Sequence, residues 1–267
     1  MKPLKLYWSS SLQGGKKNFG DWLSPILCEA LSGREVVHAR PNRCDLMGQG
    51  SILAKAKNHF WNRRIDIWGS GLIEAITPFN SPHRIHAVRG WKTARLIRNQ
   101  QVQVVGDPGL LCDILVSANL ALHKDSALGV IPHYVDQPDP VLREFVAANP
   151  RVKWIDVFSE PLDFIKQVAA CDMILSSSMH GLITADALGV PNAWIRLSDK
   201  VWGGDFKFLD YYSIYGFADV KPFPLTARTP VGDVMRLTVQ YARPRLAEIK
   251  ANLSKAFPFP CLRYGQA

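Results

Sequence analysis

The stretch that decides the fold is Met173-Ile174-Leu175-Ser176-Ser177-Ser178-Met179-His180-Gly181. Its apolar run predicts a buried strand, and residues 179–188 continue with a helical pattern that ends before Gly189. A strand that leads directly into a helix is the repeating unit of a parallel α/β sheet. The free N–H groups at the start of such a helix favour an anion, and serines there supply a cap and further hydroxyl groups. The stretch therefore predicts an anion-binding junction within an α/β fold.

His180 is the titratable residue of this junction. It lies in the first turn of the predicted helix, where the helix dipole disfavours the imidazolium form. We therefore expect a neutral imidazole that donates a hydrogen bond to a ligand or accepts one from it. The alternative is that the serines only cap the helix and that His180 bonds to the backbone.

Strand and helix patterns alternate along the rest of the chain. The predicted strands cover residues 4–8, 65–68, 84–88, 102–105, 127–132, 152–157, 172–176 and 193–197. The predicted helices cover residues 22–31, 92–98, 140–148, 161–170 and 179–188, followed by a helical region at 231–257 that is interrupted near Pro244. This alternation predicts an α/β fold of two Rossmann-like lobes that face one another across a cleft. One large doubly wound sheet is the alternative.

The expected domains follow from these patterns. The lobes are placed at residues 1–118 and 127–230, with a linker at 117–126 and a C-terminal helical segment at 231–267. The chain of 267 residues is 47% hydrophobic and 21% charged, which indicates a globular protein with a sizeable core and excludes a disordered chain. No run of 18 apolar residues is present, so a transmembrane helix is not expected.

Composition also indicates the cellular compartment of the protein and the kinds of partner that it binds. The N-terminus lacks a secretory apolar region, and five scattered cysteines without a C-x-x-C pair indicate reduced thiols in a cytoplasmic protein. No acidic D-x-D cluster or H-x-x-x-H array is present, so no metal is expected. The 32 Lys and Arg against 23 Asp and Glu give a formal net charge of +9, which indicates an anionic partner. No nucleic-acid-binding motif accompanies this charge, so no nucleic acid is expected.

Other predicted junctions carry glycines and polar groups. They are Asn18-Phe19-Gly20-Asp21, Gly48-Gln49-Gly50-Ser51 and Trp68-Gly69-Ser70-Gly71. Glycine lets the backbone approach a ligand closely, but none of these stretches is a dinucleotide-binding fingerprint or a P-loop.

Three charged residues outside these junctions are candidates for substrate contact. Arg89 ends a predicted strand and can hold a carboxylate or phosphate with two hydrogen bonds, or form a salt bridge between the lobes. Asp107 lies in a Gly-Asp-Pro-Gly turn, where its carboxylate can orient a sugar hydroxyl or hold Arg89. Lys207 lies among glycines and aromatics, and it is either a point charge for phosphate or part of a surface loop.

These segments together resemble the polysaccharide pyruvyl transferase family, and within it the ketal pyruvyl transferases of exopolysaccharide synthesis of the xanthan-type branch. The resemblance follows family order through residues 18–21, 50–53, 68–71, 87–93, 106–111, 131–133, 176–183 and 206–212. It implies a fold like that of GT-B glycosyltransferases. It also implies phosphoenolpyruvate as donor and co-substrate, no other cofactor, and a hexose of a lipid-linked oligosaccharide as acceptor. The product would carry pyruvate as a cyclic ketal across O4 and O6.

The resemblance also implies residue roles. His180 is assigned to proton transfer or phosphate contact, Arg89 to the carboxylate or phosphate of the donor, and Lys207 to the phosphate. Further donor-binding residues are expected in the second lobe: Ser176, Ser177, Ser178, Met179, Gly181 and Lys200. Acceptor or cleft residues are expected in the first lobe and at the start of the second: Asn18, Gly20, Asp21, Gly69, Ser70, Gly71, Asp107 and His133.

The chain departs from the common family pattern at one position. Ser178 stands where many members have an arginine, so one cation for the donor must come from elsewhere. Lys200 and Lys207 compete for that role, and we prefer Lys207 because it lies in the better-matching stretch. Because a lipid-linked acceptor sits at an anionic membrane, we expect a cytoplasmic protein in peripheral contact with the inner membrane face. The alternatives are a GT-B glycosyltransferase that uses a sugar nucleotide and a non-catalytic protein that binds anions or glycans.

Overall fold

The computed structural model describes residues 1–10, 12–56, 63–116 and 124–261. Within these ranges the strands are β1 Leu4–Tyr7, β2 Val36–His38, β3 Leu46–Met47, β4 Asp66–Ser70, β5 Arg84–Val88, β6 Ser126–Ile131, β7 Val152–Trp154, β8 Cys171–Ser176 and β9 Asn192–Trp194. The α-helices are α1 Phe19–Ser32, α2 Trp91–Ala94, α3 Pro140–Ala148, α4 Pro161–Ala169, α5 Met179–Ala187, α6 Phe206–Tyr212, α7 Val231–Arg236 and α8 Leu246–Lys255. A 3₁₀ helix covers Pro108–Leu115.

The strands form two separate sheets in which every recorded pair of strands is parallel. The first has the order β2-β1-β3-β4-β5 and the second the order β7-β6-β8-β9. The α/β class with parallel sheets is therefore confirmed, and the alternative of one continuous sheet is wrong. β6 and β8 are neighbours at the centre of the second sheet, with Ile131 opposite Ser176. The residues that follow these two strands consequently meet at one edge of the sheet.

Some predicted elements differ from those in the structure. The predicted helix at 92–98 is only the four-residue α2, because Ile97 forms a bridge with Phe79 and the chain leaves the helical path to reach it. The predicted strand at 102–105 is reduced to a single bridge between Val105 and Val88. Most of the predicted linker, residues 117–123, lies outside the described residues.

The core connects the two halves of the chain. One cluster of buried apolar side chains extends from the first sheet to Ile174 in β8, whereas Met173 and Leu175 belong to a second cluster. Alternate residues of β8 thus face opposite sides of the second sheet, as the pleat of a strand requires. Phe19 of α1 stacks on Phe164 of α4, with ring centroids 3.9 Å apart. This contact holds the N-terminus of α1 against the second half.

The C-terminal segment returns to the first sheet. α7 and α8 are separated near Pro244, where Arg245 takes a left-handed backbone conformation with φ of 62°. The Trp68 indole N–H donates to the Leu253 carbonyl at 2.9 Å, and the Lys250 ammonium lies 2.6 Å from the Asp113 carboxylate. None of the helices in the described part of the chain is long and apolar enough to cross a membrane.

Candidate active site

The N-termini of α1 and α5 meet, and His180 lies between them. Asn18 caps α1 by accepting a hydrogen bond from the Gly20 N–H at 2.9 Å, and the Phe19 N–H donates to the Val157 carbonyl at 2.8 Å. A Cβ atom added at Gly20 would lie 2.1 Å from Nδ1 of His180. The imidazole therefore rests on the backbone of α1, and only glycine leaves room for it.

The Gly20→Ala variant is expected to reduce turnover by between about tenfold and a hundredfold, because the added methyl group forces the His180 ring out of place. Steady-state kinetics on the folded variant measures this. Gly232→Ala is the matched control, because a Cβ there meets nothing within 4 Å. Turnover of Gly20→Ala equal to that of Gly232→Ala would show that the position of the ring does not matter.

His180 is neutral at physiological pH. Burial, together with the positive charges of Lys207 and Arg89, lowers its pKa to about 3. The sequence predicted this direction from the helix dipole, but burial is the larger cause. Nε2 of His180 is buried and has no hydrogen-bond partner among the described residues. The ring therefore keeps one nitrogen uncommitted to the protein.

Lys207 brings a buried cation to the same place. It lies in the first turn of α6 and is 7% exposed. Burial and the charge of Arg89 lower its pKa to about 8, although the charges of Asp136 and Asp21 oppose that shift. No carboxylate of the described residues lies within ion-pair distance of its ammonium. An ammonium that is buried without an ion pair is suited to an anionic ligand.

Asp21 and His133 complete the group around Lys207. Burial raises the pKa of Asp21 to about 7, although a hydrogen bond from Ser9 and the charge of Lys207 lower it. The Asp21 carboxyl group thus exists in both protonation states near neutral pH. Burial and the charge of Lys207 lower the pKa of His133 to about 3. The structure therefore brings together four residues that the sequence selected separately.

Comparison with known proteins identifies the family of the chain. The family model described as polysaccharide pyruvyl transferase matches residues 12–199. The chain belongs to the polysaccharide pyruvyl transferase family. The match includes the N-termini of α1 and α5, whereas α6 and Lys207 follow it.

Two relatives accompany the family match. An uncharacterized protein of Acanthamoeba polyphaga mimivirus is 31% identical over 214 residues, which cover 74% of this chain and 71% of that protein. The succinoglycan biosynthesis protein ExoV of Rhizobium meliloti (strain 1021) is 30% identical over 230 residues, which cover 81% of this chain and 65% of that protein. No solved structure matches the chain.

The serines before α5 are held by the protein itself. The Ser176 hydroxyl shares its one proton between the Ile131 and Ser178 carbonyls, at 2.9 and 2.8 Å, and accepts from the Ser178 N–H at 3.0 Å. Ser178 occupies the N-cap position, but its hydroxyl makes no capping hydrogen bond. A serine is therefore the N-cap residue of α5, as predicted, but its side chain makes no bond to the helix, and the start of the helix keeps N–H groups for another acceptor.

Asp136 is a site residue that sequence reasoning missed. It is 1% exposed, and its carboxylate accepts hydrogen bonds from the Ser177 hydroxyl at 2.7 Å and the Ser198 hydroxyl at 2.5 Å. The Ser177 hydroxyl in turn accepts from the His133 N–H at 2.9 Å. Asp136 thus ties together the loops that follow β6, β8 and β9. The one signal for this role in the sequence was that Asp136 is an acidic residue shortly after His133.

Arg89 is completely buried and already has partners. Its guanidinium forms a salt bridge with Asp210 at 2.9 Å and donates to the Ser51 hydroxyl and the Leu72 carbonyl. Asp210 also accepts from the Thr93 N–H and hydroxyl. These contacts favour the salt bridge between the two halves that the sequence left open as an alternative. Because Asp210 and Lys207 share α6, the pair positions Lys207.

Several predicted cleft residues are buried around this ion pair. A Cβ at Gly71 would lie 2.4 Å from Cζ of Arg89, and one at Gly69 would lie 2.1 Å from Cδ of Pro108. Ser70 is fully buried, and its hydroxyl donates to the Gly48 carbonyl. Tight packing gives these residues a structural role, and their contact with the acceptor stays a prediction.

Asp107 also faces the interior. It is fully buried, and one carboxylate oxygen accepts from the Gly109 N–H at 2.9 Å at the start of the 3₁₀ helix. Burial raises its pKa to about 7, and the charge of Arg89 opposes that shift. The second oxygen has no partner in the part of the chain that the structure describes.

The remaining predicted donor residues differ in exposure. Met179 is 5% exposed, and a Cβ at Gly181 would lie 2.5 Å from the Ser176 hydroxyl oxygen, so both belong to the packed start of α5. Lys200 is exposed. Among the described residues, no group of three or more His, Cys, Asp or Glu is placed to hold a metal ion.

Proposed function

We propose that the protein transfers pyruvate from phosphoenolpyruvate to a hexose of a lipid-linked exopolysaccharide repeat unit and forms a cyclic ketal. The observation that carries this proposal is the buried Lys207 ammonium, which has no ion pair among the described residues and is coupled electrostatically to His180 and to Asp21. These groups can hold an anion and exchange a proton.

The donor requires cationic support at two places. Phosphoenolpyruvate carries a phosphate and a carboxylate, and Lys207, Arg89 and the N–H groups of α5 provide positive potential around one spot. The charge of Arg89 lowers the pKa of Lys207, and a bound anion opposes that effect. We assign the phosphate to Lys207 rather than the exposed Lys200, and we assign Arg89 to positioning α6.

The reaction needs one acid and one base. Protonation of the methylene carbon of phosphoenolpyruvate makes C2 electrophilic, a sugar hydroxyl adds there and loses its proton, and the C2–O bond to phosphate breaks. The second hydroxyl then adds to C2, loses its proton and closes the ketal. The Asp21 carboxyl, with its pKa of about 7, supplies the first proton, and its carboxylate takes back the proton of the second hydroxyl. The proton of the first hydroxyl leaves with the phosphate, either through the neutral imidazole of His180 or directly while His180 contacts the phosphate.

Incubation with phosphoenolpyruvate and a pyruvate-free oligosaccharide tests the function. We expect release of inorganic phosphate and a mass gain of about 70 Da per acceptor, which is pyruvate less one water. Consumption of a sugar nucleotide instead would identify a glycosyltransferase. Binding of either ligand without any turnover would identify a non-catalytic protein.

The pH dependence of donor use gives a sharper test. We expect kcat/KM for phosphoenolpyruvate to fall as pH rises through about 7, where Asp21 loses the proton that it supplies, and to fall further through about 8, because Lys207 then loses its charge. In Asp136→Asn this second fall should occur at lower pH, since the carboxylate that favours the charged ammonium is gone. Ser198→Ala removes a hydrogen bond to Asp136 but no charge, so its profile should match that of the wild type. An unshifted profile for Asp136→Asn contradicts the assignment.

We also propose peripheral contact with the inner face of the cytoplasmic membrane. The formal net charge of +9 supports attraction to anionic lipid. The protein is expected to sediment with phosphatidylglycerol vesicles at low salt, to be released as ionic strength rises, and to ignore phosphatidylcholine vesicles. Failure to sediment with anionic vesicles at low salt would contradict this contact.

The two sheets lie in different halves of the chain, and each half is given a role in the proposed reaction. We propose that the halves, residues 1–118 and 127–230, act as the acceptor and donor sides of a GT-B-like cleft, with residues 231–267 as a C-terminal segment. The position of Asp21 on α1 and of His180 on α5 supports this division, since each half contributes a group to one site.

A further inference from the structure

A cavity of about 300 Å³ opens beside α1 and carries none of the residues assigned to the donor. Its walls come from the end of β1, from α1 and from the loop before α4, with Trp8, Phe19, Trp22 and Phe158 as aromatic surfaces. This volume is at the lower end of the range for small-molecule pockets. It suits one ring-sized ligand.

The two tryptophans of this wall pack against each other. Trp8 is 5% exposed, and the Nε1 atoms of Trp8 and Trp22 are buried without a hydrogen-bond partner among the described residues. The two rings meet edge to face, with centroids 5.8 Å apart. Because the N–H groups are covered by protein atoms, the wall presents aromatic ring surface to a ligand.

The charges around the wall balance. Glu29 and Glu160 contribute two exposed carboxylates, and Lys17 contributes one ammonium, which lies over the Trp22 ring at 4.2 Å from its centroid. The Lys16 ammonium lies over the Phe158 ring of the same wall, 5.5 Å from its centroid. Because the two carboxylates offset the two ammoniums, the surroundings favour a neutral ligand. The hydroxyls of a neutral ring can donate to the carboxylates, and its C–H face stacks on aromatic side chains.

We propose that this cavity binds a neutral hexopyranose ring of the acceptor. Phe19 lines the cavity, the next residue, Gly20, supports His180, and Asp21 faces Lys207. One turn of α1 therefore connects the cavity with the transfer site. The identity of the ring as acceptor rests on the proposed function, whereas the binding itself does not require the donor.

Saturation-transfer NMR with methyl β-D-glucoside, methyl β-D-galactoside and methyl α-D-mannoside tests the cavity without phosphoenolpyruvate. We expect at least one glycoside to bind the wild type. Its affinity should weaken about tenfold in Trp22→Ala and less in Trp22→Phe, which keeps an aromatic face. Trp202→Phe is the control, because Trp202 is 72% exposed and outside the cavity. Thermal melting checks that each variant is folded.

The outcomes separate this proposal from the proposed function. Glycoside binding that weakens in the Trp22 variants, with phosphoenolpyruvate binding unchanged, supports the cavity, even if no pyruvate is transferred. Absence of binding to the wild type, or equal binding by folded Trp22→Ala, overturns it, even if phosphoenolpyruvate is consumed. Weakening of phosphoenolpyruvate binding together with glycoside binding also overturns it, because the cavity would then belong to the donor.

Discussion

The His180→Ala variant is expected to lose at least about a hundredfold in turnover. The imidazole is neutral, rests on Gly20 and has a buried nitrogen with no partner among the described residues. Alanine removes the group that exchanges a proton with the substrate or contacts its phosphate, while the short side chain leaves the backbone of α5 unchanged. Steady-state phosphate release measures the effect, and thermal melting confirms the fold.

A second variant distinguishes the two roles of His180. His180→Asn keeps a hydrogen-bonding side chain but exchanges no proton near neutral pH. Turnover well above that of His180→Ala indicates phosphate contact, and equal loss indicates proton transfer. His86→Ala is the control, because His86 pairs with Asp66 in the first sheet at 2.7 Å. A near-wild-type rate for His180→Ala would remove the residue from the mechanism.

The Arg89→Met variant is expected to lower the free energy of unfolding by about 3–5 kcal/mol, because it leaves the fully buried Asp210 carboxylate without its cation. Urea unfolding measures this change. Loss of the pair also frees α6, so we expect KM for phosphoenolpyruvate to rise as Lys207 moves. Arg95→Met is the control on the neighbouring exposed surface, where a change within about 0.5 kcal/mol is expected.

The stability of Arg89→Met decides between two roles for the arginine. Unchanged unfolding together with a raised KM would mean that the guanidinium contacts the donor directly and that its salt bridge with Asp210 contributes little. A large loss of stability supports the positioning role. The sequence left both roles open, and the bonds from Arg89 to Asp210, Ser51 and Leu72 favour the second.

The local pattern of the sequence was sufficient for the strand and helix around His180. The predicted strand at 172–176 and helix at 179–188 agree with β8 and α5 within one residue at each end. The apolar run and the glycine after the helix are short-range signals, so no distant contact was needed to find them. The predicted end of the helix at 92–98 was wrong for the opposite reason, because the helix stops where Ile97 forms a bridge with the distant Phe79.

What each side chain does was decided by contacts between residues far apart in the chain. The sequence selected Gly20, Asp21, Lys207 and His180 as residue types, but it contained no measure of their distances. The role of Asp136 follows only from the Ser177 and Ser198 hydroxyls that donate to it. The role of Arg89 follows only from its contact with Asp210, which lies 121 residues later in the chain and neutralises its charge. The sequence alone determined the α/β elements and the set of polar candidates, because both follow from neighbouring residues. The tertiary structure decided which candidates are buried together and which charges they share, because burial and electrostatic coupling depend on distance in space.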